Sequence, residues 1–201
     1  MDSEVWNRRY AARELVWTAT PNRFLVAETE ELPPGRVLDL ACGEGRNAVW
    51  LAERGWRATG VDFSDVALEK ARALAAERGV EAEWVVGDLS SYRPEPQAFD
   101  LAILFYLQVP APVRRAAVQA AASAVAPGGT FLLVAHDRSN LEEGHGGPQS
   151  LDVLYAAEDV VADLDGSGLR IERAERVERP VDTPEGERVA LDTLVRASRP
   201  L

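Results

Sequence analysis

Between Arg36 and Ser64 the sequence RVLDLACGEGRNAVWLAERGWRATGVDFS runs as strand, glycine turn, helix, strand and acidic residue. Val37, Leu38 and Leu40 are strand formers. The run stops at Ala41-Cys42-Gly43-Glu44-Gly45, where two glycines one apart allow a tight turn and close approach of a ligand to the backbone. Ala48, Leu51 and Ala52 recur at helical spacing and Gly55 is a natural stop, so a helix is expected to begin at the turn. Ala58 to Val61 reads as a second strand and ends on Asp62, nineteen residues after Gly43. A carboxylate about 20 residues beyond such a turn accepts hydrogen bonds from ribose hydroxyls in nucleotide-binding units. The unit predicts an α/β fold with a doubly wound, mostly parallel sheet. Taken singly, the glycines are also an ordinary strand-to-helix turn and Asp62 an ordinary helix cap, but those readings leave the joint spacing unexplained.

Two ligand classes use this geometry. With Ala48 as the third small position, Gly43, Gly45 and Ala48 satisfy the dinucleotide fingerprint. Asp39 separates the two, because it lies inside the first strand, four residues before Gly43, and Glu44 adds a second carboxylate in the turn. A pyrophosphate would be repelled there, whereas a cationic, amine-bearing ligand would be favoured.

Asp39-Leu40-Ala41-Cys42-Gly43-Glu44-Gly45 and Val61-Asp62-Phe63-Ser64 resemble motif I and the acidic motif II of class I S-adenosylmethionine-dependent methyltransferases. S-adenosylmethionine carries a ribose, an adenine, an ammonium and a sulfonium, and no phosphate. The resemblance implies a Rossmann-like, seven-stranded sheet with a C-terminal antiparallel hairpin strand and helices on both faces. It also implies cofactor contacts from Asp39, Ala41, Gly43, Gly45, Asn47, Asp62, Phe63 and Ser64. Further along, Glu83-Trp84-Val85-Val86 reads as a third strand closed by Gly87-Asp88-Leu89. By resemblance, Asp88 meets the adenine amino group and the Leu89 amide its ring nitrogen, although Gly87-Asp88 is also an acceptable turn.

A chain of 201 residues is enough for one α/β domain, 1–201, with a helical leader over 1–34 and the core over 35–201. The 46% apolar and 27% charged fractions are those of an ordinary globular protein. No apolar run approaches the ~18 residues of a membrane span and no signal-peptide pattern opens the chain, so a cytoplasmic, membrane-free protein is expected. Cys42 is the single cysteine, which excludes an internal disulfide, and with His136 and His145 it does not make a structural metal site. The 22 basic residues are scattered among 33 acidic ones for a net charge of −11. That balance disfavours nucleic acid and polyanionic substrates, and it also serves simply to keep the protein in solution.

In the leader, Val5, Trp6, Tyr10, Arg13 and Trp17 fall at helical spacings, Pro21 breaks the run, and Asn22 is placed to cap a second helix. Such a leader would lie as a lid across the carboxyl ends of the strands. Trp6, Tyr10, Trp17 and Asn22 are then candidates for ligand contact, the alternative being aromatics that dock the helix on the core. Ser64 is placed to cap an alanine-rich helix that ends at Gly79.

Phe99 to Phe105 is a nearly continuous apolar run suited to a strand buried on both faces, with Phe105 and Tyr106 at its ligand end. The next residues, Leu107-Gln108-Val109-Pro110, lack the Asn-Pro-Pro-Tyr of amino-methylating enzymes, and no Pro-Cys nucleophile is present. Both absences argue against methylation of nucleic-acid bases. Pro112 lies close to the start of a helix that ends at Pro127-Gly128-Gly129, and a strand over 130–135 follows. At its far end come His136 and Asp137, candidates for a base and an electrostatic contact, or for a structural pair that ties down the loop. Arg138 to Ser150 is the expected substrate wall. Ala157 to Leu164 suggests a helix, and Leu169–Val181 and Val189–Ala197 suggest the terminal hairpin.

The whole chain is similar to small methyltransferases of the tellurite-resistance and thiopurine-methylating type, through its aromatic leader and its Gly43-Glu44-Gly45-Arg46-Asn47 turn. That similarity implies S-adenosylmethionine as cofactor, S-adenosylhomocysteine as product and no metal. It implies a small acceptor with a soft nucleophile, such as a thiol or a selenium or tellurium oxyanion. A soft anion needs no base, whereas a phenol or amine would benefit from His136. A nicotinamide-dependent oxidoreductase and a non-catalytic S-adenosylmethionine-binding subunit are the competing readings. The sequence carries no signal for an oligomeric state.

Overall fold

Alternation along the strands distributes the core between two faces of one sheet. Leu38 and Leu40 of β1 (Arg36–Leu40) join one buried cluster with Ala102 and Leu104 of β4 (Phe99–Phe105), and Val37, Leu101 and Ile103 join the other. The structure, a computed structural model, describes residues 3–11 and 19–201. The remaining strands are β2 (Arg57–Asp62), β3 (Glu83–Val86), β5 (Val125–His136), β6 (Arg170–Thr183) and β7 (Gly186–Ser198). Their order is β3-β2-β1-β4-β5-β7-β6. Pairings from β3 through β5 are parallel, and β7 runs antiparallel to both β5 and β6. The expected seven-stranded sheet with its antiparallel C-terminal hairpin is therefore present.

Helix α3 (Arg46–Ala52) covers the Val37 face through Ala48 and Leu51, joined by Leu25 of α2 (Arg23–Thr29). Alongside it, α4 (Asp65–Glu77) packs Leu74 and Ala75 against Val49 and Trp84. The opposite face is covered by α5 (Ala111–Ala124) and α7 (Ala157–Asp163), through Ala117, Val118, Ala121 and Val160. Between β3 and β4 no helix intervenes, and Leu89 and Tyr92 of the connecting loop join that cluster directly. Helix α1 (Ser3–Ala11) precedes α2, and α6 (Asn140–Glu143) is a single turn in the loop after β5.

The capping signals act as expected. Asn22 accepts from the Phe24 amide at the start of α2, and the Ser64 hydroxyl accepts from the Ala67 amide at the start of α4. The helix read into the leader is found over Ser3–Ala11, while Arg13 and Trp17 lie outside the described residues. Pro127-Gly128-Gly129 is not the end of a helix but a bulge inside β5, where the pairing jumps from Phe99↔Val125 to Leu101↔Thr130. The hairpin is tighter than expected, because Thr183 pairs with Gly186 and leaves only Pro184 and Glu185 between the strands.

This topology decides where a ligand can sit. Strand order reverses at β1, with β2 on one side and β4 on the other, and crevices for ligands open beyond the carboxyl ends of strands at such a point. Ala41 after β1 and Tyr106 after β4 both have positive φ, 59° and 53°, so the backbone leaves both strands in a conformation side chains rarely adopt.

Candidate active site

A cavity of about 790 Å³ opens beyond β1 and β4, within the range of small-ligand clefts. Its two halves differ in chemistry. One is the turn after β1, with Ala41, Cys42, Gly43 and Glu44 joined by Asp62 and Phe63 from the end of β2. The other is a wall of Phe105, Tyr106, Leu107, Gln108, His136, Gly147, Pro148, Arg179 and Pro180, and the leader closes over both through Trp6, Tyr10, Pro21 and Asn22.

At the turn, Asp62 is the organising group. Its Oδ2 accepts from the Gly43 amide at 2.9 Å and its Oδ1 from the Ser64 amide at 2.9 Å, so one carboxylate ties the glycine turn to the start of α4. Burial raises its pKa, and the amides of Ser64, Gly43 and Phe63 oppose that shift. Each oxygen keeps lone-pair capacity for a further donor on the cavity side. Gly43 has φ +54°, which a side chain rarely adopts, and a Cβ there would lie 3.1 Å from the Tyr10 hydroxyl, so the turn and α1 are in close contact. Glu44, buried in the same turn, is paired with Lys70 at 3.2 Å, and the Lys70 ammonium also donates to the Tyr10 carbonyl at 2.6 Å. A lysine on α4 thus holds the leader against the turn.

Asp39 lies under the turn and does not line the cavity. It is buried between the sheet and α3 and accepts from the Ala48 amide, and its Oδ2 meets no hydrogen-bond partner among the described residues. Burial, with Asp62 nearby, pushes its pKa up to about 8 against the pull of Arg46 and the Ala48 amide. In the unfolded chain the group ionises near 3.8, so the folded protein holds one proton more between pH 3.8 and about 8. Stability from this group is complete below the lower value and is lost as pH rises to the upper one, at up to ~1.4 kcal/mol per pH unit. An Asp39→Asn protein keeps an acceptor for Ala48 and should lose this dependence. Denaturant unfolding of both proteins from pH 5 to 9 should give curves that diverge up to about pH 8 and run parallel above it.

The opposite wall is built by strand register. His136 closes β5, and its partner across the antiparallel ladder is Asp192 of β7. Arg179 of β6 is two residues along from Val177, the partner of Asp192 on the other side. Asp192 is fully buried. Its Oδ2 accepts from the Tyr106 hydroxyl at 2.7 Å and from Arg179 Nε at 2.6 Å, and its Oδ1 lies 3.3 Å from His136 Nδ1. The His136 contact is a close approach outside hydrogen-bonding geometry. Burial pushes the Asp192 carboxyl up, and the approach of His136 with the donors from Arg179 and Tyr106 outweighs it, so the group ends below its usual value. Tyr106 packs on the imidazole with ring centroids 4.9 Å apart, and burial raises its hydroxyl pKa well above the usual tyrosine range. Gly147 also lies against the imidazole, since a Cβ there would stand 3.0 Å from the ring. Nδ1 is turned to a carboxylate, so Nε2 is the nitrogen left to exchange a proton with a ligand.

The residues expected from sequence divide accordingly. Ala41, Gly43, Asn47, Asp62, Phe63, Phe105, Tyr106, His136, Trp6, Tyr10 and Asn22 line the cavity. Asn47 also accepts from the Asn22 amide at 3.0 Å, fixing α2 to α3. Gly45 and Ser64 stand behind it, as the caps of α3 and α4. Asp88 is exposed, accepts from the Ser90 amide at 2.8 Å and does not line the cavity, and Leu89 is buried in the core. Asp137 also turns away from the cavity. Its carboxylate accepts from the Ser139 amide and hydroxyl and from Thr193, which ties the loop after β5 to β7 and makes Asp137 the structural member of the pair. The loop over 138–150 does form part of the wall, through Gly147 and Pro148. Arg46, Arg179 and Asp192 do not stand out from sequence. Arg46 sits inside the quoted turn, but the other two carry no local signal and depend on pairing across β5, β7 and β6.

Among the described residues no group of acidic, histidine or cysteine side chains could hold a metal, and no helix is long and apolar enough to cross a membrane.

Comparison with known proteins agrees with this geometry. The family model described as a methyltransferase domain matches residues 37–129, from β1 into the bulge of β5. A 2-heptyl-1-hydroxyquinolin-4(1H)-one methyltransferase of Mycobacteroides abscessus is 34% identical over 118 residues, covering 57% of this chain and 52% of the relative. The chain thus spans about half the length of the relatives it matches. Among solved structures, one described as converting a disulfide bond into a thioacetal group during echinomycin biosynthesis superposes with TM-score 0.79 and 24% identity, over 98% of this chain and 91% of its own. TehB of Haemophilus influenzae superposes with TM-score 0.73 and 15% identity, over 89% of this chain and 62% of its own. A carboxylate-bearing turn with a close backbone approach and Asp62 on the cavity wall fits a cationic adenosyl cofactor and would repel a pyrophosphate. Motif, match and fold point the same way: residues 37–129 match a methyltransferase domain, and the chain resembles class I S-adenosylmethionine-dependent methyltransferases.

Proposed function

We propose that this chain methylates a small-molecule acceptor with a soft or weakly acidic nucleophile, a thiol, a selenium or tellurium oxyanion or an acidic hydroxyl. The supporting observation is a single cavity that joins the Asp62 and Glu44 turn to the His136, Tyr106 and Arg179 wall. The relatives' names, a hydroxyquinolone methyltransferase and an O-methyltransferase of ubiquinone biosynthesis, support a small acceptor. In this reading residues 1–34 and 35–201 work as one unit, with the leader held over the cavity by Lys70.

S-adenosylmethionine, when bound, supplies an electrophilic methyl carbon. The chain's own part is to hold, align and dry the site. Asp62 accepts from ribose hydroxyls while its amide bonds keep the turn in place, and Glu44 adds a second carboxylate at the turn that favours a cation. Trp6, Tyr10 and the Gly147-Pro148 segment exclude water. His136 takes the proton of an acceptor at Nε2, and a pre-ionised thiolate bypasses it.

Calorimetric titration with S-adenosylhomocysteine and turnover against a panel of thiols, oxyanions and phenols test the reading, which fails if the product binds and no small acceptor is methylated. Asp62→Ala should weaken cofactor binding by about 1–3 kcal/mol, roughly 5- to 150-fold, through loss of a charged acceptor. Equal affinities in the two proteins would remove Asp62 from the ribose role.

A further inference from the structure

Two neighbours from distant parts of the chain flank the His136 imidazole. Asp192 of β7 approaches Nδ1 at 3.3 Å, and Gly147, from the loop between β5 and α7, lies against the ring. A base is aimed only as well as the groups beside it are fixed. Both of these groups are tied to one side chain, that of Asn140, the first residue of α6 and only 2% exposed.

The Asn140 carboxamide faces two ways. Its Oδ1 accepts from the Leu191 amide at 2.7 Å, and its Nδ2 donates to the Gly146 carbonyl at 2.9 Å. Leu191 immediately precedes Asp192, and Gly146 immediately precedes Gly147. One planar group therefore bridges the strand that carries the carboxylate and the loop that closes on the ring. Asparagine suits the place, because Leu191 offers a donor, Gly146 an acceptor, and a carboxamide presents one of each. The loop turns so closely about it that a Cβ at Gly144 would overlap Oδ1. Gly146 and Gly147 then follow with φ of +73° and +77°, a left-handed path that side chains rarely adopt. On the strand side, the Leu191 carbonyl accepts from the Asp137 amide at 2.9 Å and Thr193 donates to the Asp137 carboxylate at 2.7 Å. The loop thus grips β7 on either side of Asp192, and Asn140 carries that grip on to Gly146.

We propose that Asn140 is a positioning residue for methyl transfer, fixing Asp192 and Gly147 against His136 so that Nε2 meets the proton of the acceptor. It acts through these neighbours, since it does not itself line the cavity. The inference rests on the base role given to His136 above and adds the residue that aims the base.

The test measures turnover of a phenol and of a thiol of low pKa by the full chain and by its Asn140→Ala variant, each with and without His136→Gln. Asn140→Ala should lower kcat for the phenol roughly tenfold to a hundredfold, as a displacement of about 1 Å does, with little change in KM. The thiolate rate should fall much less, because it bypasses the base. Affinity for S-adenosylhomocysteine, read by calorimetry, should stay at the wild-type value, since other contacts build the Asp62 turn. In the His136→Gln background Asn140→Ala should add almost nothing, because the group it aims is gone. Asn140→Asp keeps the acceptor for Leu191 and loses the donor for Gly146, so it serves if the alanine variant does not fold and should show the same selective loss at smaller size. Glu143→Gln breaks an exposed pair with Arg176 in the same loop and should leave both rates unchanged. Unchanged rates in the Asn140 variants, a loss shared equally by phenol and thiolate, or the full loss repeated without His136 would refute the positioning role and leave the methyltransferase reading standing. Equal phenol rates in wild type and His136→Gln would remove the base and this inference together, with cofactor binding intact. If the wild type binds no S-adenosylhomocysteine, the methyltransferase reading falls and takes the inference with it.

Discussion

A His136→Gln protein is expected to lose about two to four orders of magnitude in kcat toward an acceptor that must give up a proton, the usual contribution of a positioned base. The expectation comes from the way the imidazole is held. Tyr106 and Gly147 pack on it, its Nδ1 lies 3.3 Å from the buried Asp192, and its backbone amide donates to Gln108 Oε1 at 2.9 Å. Asp192 cannot easily surrender its charge, since Arg179 and Tyr106 both donate to it, so it stabilises an imidazolium formed at its side. Glutamine preserves polarity and approximate size but cannot carry the proton. Rates should be measured with a phenol and with a thiol of low pKa. The phenol rate should collapse and the thiolate rate should change little. Equal, small losses with both would remove His136 as the base and leave it a wall residue.

The second large effect lies in the fold. Gly45 has φ +78°, and a Cβ there would stand 2.6 Å from the Trp84 ring and 2.8 Å from the Ala71 Cβ. Gly45→Ala should therefore combine left-handed strain of about 1–2 kcal/mol with overpacking of about 1–3 kcal/mol. Gly79 provides the control, with φ +67° and nothing within 4 Å of the place its Cβ would take. Gly79→Ala carries only the conformational part, ~1 kcal/mol. Denaturant unfolding should rank Gly45→Ala well below Gly79→Ala. The former should also weaken cofactor binding, because relief of the clash moves the turn that Asp62 anchors. Equal costs at the two positions would mean that Trp84 and Ala71 yield without resistance.

Local features were legible in the sequence because local rules generate them. The apolar run Val37-Leu38 into Gly43-Glu44-Gly45 marks β1 and its turn, and Asn22 and Ser64 cap helices in the structure as their side chains allow. The spacing from Gly43 to Asp62 has a direct physical counterpart, a hydrogen bond from the amide of one to the carboxylate of the other. The histidine wall was legible only in part. His136 stands at the end of an apolar strand and can be noticed, but Asp192 and Arg179 reach it through a register fixed by antiparallel pairing across three strands. Nothing near either residue in the chain announces that pairing. Asp137 shows the reverse error: adjacent to His136 in sequence, it points to the other side of the strand, where Thr193 and Ser139 engage it. Arg46 was hidden in plain view, since a turn read for its glycines draws attention away from the side chain that follows them.

In the proposed function the turn at Ala41 to Gly45 seats a cationic adenosyl compound with Asp62 at its sugar, and every functional role assigned above depends on it. The most direct measurement is a pair of calorimetric titrations of the purified protein, one with S-adenosylhomocysteine and one with NADH. Saturable one-to-one binding of the first and none of the second is the predicted result. Binding of the dinucleotide, with no heat from S-adenosylhomocysteine, would contradict it.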